Sequence, residues 1–157
     1  MFILTINTDI YEKILPILEE IIGKTGYNYN IVRSYCTLYD SLMYIHRSDY
    51  DKLDDRDKLI EYKINNSHTC ILESDLKEHC INILYLNSSY SQDLALYGHT
   101  VFTISNLKDD ENTNYKVDTQ SEYLDLKQTI QYIVYDLINH IHFKEYGLKT
   151  QPKRVKQ

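Results

Sequence analysis

The stretch from Ser121 to Tyr146 constrains this chain more than any other. Across it Leu126, Ile130, Ile133, Val134, Leu137 and Ile141 recur at spacings of three and four, which puts all six on one stripe of an α-helix. No Gly or Pro interrupts the run, and Gly147 follows where a left-handed C-cap belongs. Such a helix is roughly 39 Å long. Its stripe has to be covered by a comparably long apolar surface supplied by the rest of the chain.

That surface is expected from a sheet and a second helix. Phe2 to Asn7, FILTIN, reads as a short strand, either buried or at an edge. Ile10, Ile14, Ile17, Leu18 and Ile21 then repeat at helical spacing, with Asp9 and Glu12 placed as a capping box. Gly23 and Gly26, flanking Lys24, mark the end of that helix. Pro16 lies inside the stripe and is expected to kink or shorten the helix at a cost of about 3 kcal/mol. Alternation from Tyr27 to Thr37 favours a strand, and residues 38–47 read equally well as a turn and strand or as a short helix. KLIEYKI and TCILES flank NNSH in the manner of a β-hairpin. Ser74 is placed to cap a helix running through Leu76, Cys80, Ile83 and Leu84. His99 to Leu107 is the clearest late strand, and Lys108 to Gln120 is a polar loop. The resulting expectation is an α+β fold in one domain, residues 1–148. A central, mostly antiparallel sheet is packed by an N-terminal helix and the long C-terminal helix. Residues 149–157 form a basic C-terminal arm.

Length and composition agree with one soluble unit. At 157 residues the chain can bury a core without disulfides or metal. Cys36, Cys70 and Cys80 are too few and too irregular for a disulfide framework, which points to a reducing compartment, and the cytoplasm is the expected location. No signal peptide is visible, and no apolar run approaches the roughly 20 residues of a membrane span. The 16 Tyr, four Gly and two Pro, with Ala95 the sole alanine, read as the mark of an AT-rich genome, such as that of a virus, a phage or an AT-rich microbe. The tail from Lys149 to Gln157 holds Lys149, Lys153, Arg154 and Lys156 and no acid. The 13 remaining basic residues face 23 acids, so the body carries −10. An acidic body disfavours general nucleic-acid binding, which rests on neutralising phosphates; only the tail could supply it.

The candidate chemical motifs fail one by one. His140 and His142 lie about 200° apart on a helix and cannot share a metal there. His140 instead pairs with Asp136 one turn earlier, while His142 is expected to face outward. His68 and Cys70 with Glu78, His79 and Cys80 lack any familiar zinc spacing, and Cys80 fits an apolar stripe. His68–Cys70 and His99–Val101 also lack the hydroxyl two residues on that two-histidine phosphoesterases carry. No glycine-rich phosphate loop and no nucleophile elbow is present. The acids between Ser48 and Asp57 lack the Gly and the terminal Glu of a calcium loop. No cofactor and no metal is therefore expected.

What remains is tyrosine and charge segregation. Tyrosine offers a large contact area at low entropic cost and is enriched at interfaces. Tyr132 and Tyr135 fall off the main helix stripe, as candidate partner-binding residues together with Lys149, Lys153, Arg154 and Lys156. The expected function is a non-enzymatic protein–protein interaction or assembly subunit of viral or phage type, binding protein partners that include copies of itself in a ring. The predicted element order is similar, at the level of fold alone, to small tail-terminator or neck proteins of tailed phages. A small acidic inhibitor, such as an immunity protein or antitoxin capping a basic partner, is the alternative. A small Cys/His hydrolase comes third.

Overall fold

The computed structural model describes residues 1–32, 42–45, 69–72, 75–86, 94–95, 98–106 and 113–146. Their elements run in the order β1 (Phe2–Ile6), α1 (Tyr11–Thr25), β2 (Tyr29–Val32), β3 (Leu42–Ile45), β4 (Thr69–Leu72), β5 (Ile81–Tyr85), β6 (Thr100–Ser105), β7 (Tyr115–Lys116) and α2 (Tyr123–Tyr146). Five strands form one sheet in the order β2-β5-β1-β6-β7, and β3 and β4 form a separate pair. Every ladder is parallel. The expected antiparallel sheet is thus replaced by a parallel one, and the fold is of α/β type.

The physical reason lies in the strand sequences. FILTI and INILY are apolar at nearly every position, and in the folded chain β5 is buried on both faces from Ile81 to Leu84. Strands covered on both sides belong to parallel sheets, whose crossovers place chain on each face. Leu4, Ile6, Ile81, Ile83 and Ile104 point to the face where α1 and α2 lie, packed with Ile14, Leu18, Ile22, Ile130, Val134 and Ile141. Ile3, Val32 and Leu84 point to the other face and meet Leu76, Leu86 and Leu94. The two faces follow from handedness. The β1–α1–β2 crossover moves one way along the sheet and the β5-to-β6 connection moves the other way. Right-handed crossovers in opposite directions must use opposite faces.

Several local expectations change with this. The helix expected from Ser74 is a turn leading into β5, so Ile83 and Leu84 are strand residues on opposite faces. The Thr69–Leu72 segment pairs in parallel with β3, while the KLIEYKI strand and the NNSH turn of the expected hairpin lie outside the described residues. Residues 42–45 are strand, and the loop before α2 contains the two-residue β7. Helix α1 begins after Ile10, with no side-chain cap, so the Asp9–Glu12 box does not form. Gly26 does end the helix, in the left-handed region at φ 75°, and its N–H donates to Gly23 O at 3.3 Å. Pro16 is accommodated inside α1 without breaking it. The Gly147 cap lies outside the described residues.

Candidate functional sites

In an open parallel sheet the connections after neighbouring strands can leave in opposite directions, and ligands then bind in the crevice at the carboxyl ends of those strands. β1 and β6 are such a pair, since the chain leaves β1 toward β2 and leaves β6 toward β7. Here the crevice is laced shut by polar side chains. Thr5 and Thr103, which are cross-strand neighbours, share a hydrogen bond of 2.8 Å, and Asn7 Nδ2 donates to Ser105 Oγ at 2.8 Å. Asn7 N also donates to Ile104 O at 3.2 Å. All four side chains are buried. The Asn7 amide that donates to the Ser105 hydroxyl is not itself a general base.

Beside it, an open pocket of about 560 Å³ is lined by Asn106, Lys116, Val117, Asp118, Thr119 and Gln120. Lys13 of α1 donates to Thr119 O and ties the helix start to this loop. Asp118 accepts from Gln120 N at 2.9 Å, an Asx turn that shapes the loop. Asn106 Oδ1 is buried without a hydrogen-bond partner. Among the described residues no group of three His, Cys, Asp or Glu side chains converges to hold a metal.

Some of the histidine and cysteine candidates fall among the described residues. His140 Nε2 lies 3.3 Å from Asp136 Oδ2, as the helical spacing anticipates, and the same oxygen accepts the Tyr115 hydroxyl at 2.8 Å. His142 is half-buried with its ring 6.3 Å from that of Tyr27, so it does not face outward as expected. His79, expected on a helix, sits instead in the turn before β5 at φ 59°. Cys80 is buried with Sγ directed at Lys77 O, and burial raises its thiol above the usual range. His68, Cys36 and the acids from Ser48 to Asp57 lie outside the described residues, as do Lys149, Lys153, Arg154 and Lys156.

The second site is a surface. Tyr132 is exposed on α2 and Tyr135 is half-buried, so the structure separates two tyrosines that the sequence grouped. Sequence reasoning missed Tyr29 and Ile31, 37% and 41% exposed on β2. Among the described residues β2 is the outermost strand of the main sheet. Ile81 N donates to Asn28 O at 3.0 Å, and Tyr29 and Ile31 register with Ile81 and Ile83. In a parallel ladder this turns the main chain of Asn28, Asn30 and Val32 toward β5 and that of Tyr29 and Ile31 outward. The two residues whose main chain turns away from β5, with no partner strand there among the described residues, are also the two with exposed apolar side chains. The alternation around Tyr29 and Ile31 signalled a strand; only the topology shows that it is an edge.

No family model, curated protein or solved structure matches this chain in comparison. No helix among the described residues is long and apolar enough to cross a membrane.

Proposed function

We propose that this protein is a non-enzymatic interaction or assembly subunit that works in a reducing compartment such as the cytoplasm. The observation that supports this reading is β2, an edge strand whose outward main chain and exposed apolar side chains coincide. Natural edges are ordinarily blunted by lysine, proline or a bulge, and YNIV has none of these. Cys80 itself does not suit the nucleophile of the hydrolase alternative, since its thiol is buried and shifted away from the reactive thiolate.

Sizing by light scattering, alone and after mixing with an extract of the expressing cells, tests the reading. The expected result is a complex, with itself or with another protein, that Ile31→Lys abolishes while the far-ultraviolet spectrum is unchanged. An inhibitor would stay a single chain until its partner arrives. A chain that remains single and unbound in both settings contradicts the proposal.

A further inference from the structure

We infer that β2 pairs with β2 of a second copy, antiparallel about a two-fold axis at Asn30, joining two five-stranded sheets into one. The inference rests on the interaction reading above and names the partner. An antiparallel edge contact requires that the residues with outward main chain face one another, and with the axis at Asn30 each Tyr29 stands opposite Ile31 of the other copy. Such a hydrogen-bonded pair exchanges both N–H···O bonds, which gives about four main-chain bonds across the strand. Asn30, on the axis, keeps its main chain toward β5 and loses nothing. The strand thus fits itself without adjustment, as a closed two-fold contact demands.

Side chains and charge favour the same occupant. Tyr29 and Ile31 share the sheet face that carries α1, since their neighbours Asn30 and Val32 point to the other. In the pair each Tyr29 ring lies on the Ile31 side chain of the other copy, an aromatic–β-branched match that stabilises antiparallel strands. The Tyr29 hydroxyl already donates to Glu19 Oε1 at 3.4 Å, which fixes the ring beside the edge. Two bodies of charge −10 repel at most surfaces. YNIV carries no charge, so it is a strip along which like copies can meet. The opposite edge, β7, is two residues long and too short to compete.

The test is light scattering of the full chain at rising concentration, with Ile31→Pro, Ile31→Lys and Ile31→Val. Proline removes the outward N–H together with the isoleucine side chain, a change that an edge strand tolerates, and valine keeps the branched surface. The wild type and Ile31→Val should reach twice the single-chain mass of 18.7 kDa. The proline and lysine variants should stay single, with dimer affinity weakened at least about tenfold. If either variant unfolds, a mixture of Tyr29→Cys and Ile31→Cys chains, in a Cys36→Ser, Cys70→Ser background, replaces it. The mixture should link by disulfide more readily than either variant alone. A wild type that stays single at all concentrations overturns the self-pairing; if it then captures another protein through β2, the interaction reading survives. A dimer that persists in Ile31→Pro and Ile31→Lys, or equal linking by either cysteine variant alone, also overturns it.

Discussion

Asn82 shows how one residue ties a turn to a sheet. It is fully buried in β5, and each of its polar atoms is used. Nδ2 donates to Phe2 O and to Lys77 O, both at 2.9 Å, while Oδ1 accepts from Asn30 Nδ2 and Lys77 N at the same distance. An amide has two donors and two acceptor sites, so this side chain is satisfied. Asn82→Asp keeps the shape but turns an acceptor toward two carbonyl oxygens. It should lower the unfolding free energy at neutral pH by about 3 kcal/mol in urea titration, the cost of stranding buried polar groups. A change under about 0.5 kcal/mol would show that the network is not holding the turn. The lone amide inside INILY was a readable signal, since a polar residue within an apolar run must find partners. Which partners it finds depends on the 75–80 turn, and no local pattern encodes that. Tyr11 gives a pH-dependent counterpart. Burial first, and the charge of Glu19 second, hold its phenol above the usual value. A raised pKa means that folding favours the neutral form. Its contribution is whole below the unfolded value of about 10 and is lost as pH rises through the folded value. Tyr11→Phe should therefore flatten the alkaline limb of a stability–pH profile and leave the neutral region's slope unchanged; identical limbs would count against the burial of that phenol.

At the scale of elements, β1 and β6 were legible, as were both long helices, because Leu126 to Ile141 and Ile10 to Ile21 carry unmistakable periodicity. The segment from Ser74 to Leu84 was misread because Leu76, Cys80, Ile83 and Leu84 fit helical spacing by coincidence. A short apolar run buried on both faces has no period of its own, so CINILY satisfies strand and helix alike. The antiparallel expectation failed for a related reason: pairing direction is set by crossovers between strands and is not written in the strands. Pro16 tests the local physics of α1. It removes the N–H that would reach Glu12 O, at about 3 kcal/mol, offset by about 1 kcal/mol of reduced freedom in the unfolded chain. Pro16→Ala should raise the unfolding free energy by about 2 kcal/mol, read as a higher urea midpoint at constant slope. A lower midpoint would mean that α1 depends on the proline's geometry.

At the scale of the molecule, a parallel sheet with both long helices on one face and an uncharged edge strand carries the functional argument. The crevice between β1 and β6 is closed by paired hydroxyls and amides, so the open main chain of β2 is the more accessible feature. Little of this was readable beforehand, since β2 lies second in sequence and outermost in space. The candidate residues chosen from composition fared unevenly: Tyr132 is exposed, Tyr135 is half-buried, and the basic tail lies outside the described residues. Hydrogen exchange at four consecutive amides of the native chain tests the central claim most directly. The N–H groups of Asn30 and Val32 point to β5 and should be protected at every concentration. Those of Tyr29 and Ile31 should be protected at high protein concentration and lose protection on dilution, as the paired edges separate. Fast exchange at Tyr29 and Ile31 under all concentrations, with Asn30 and Val32 protected, would contradict it.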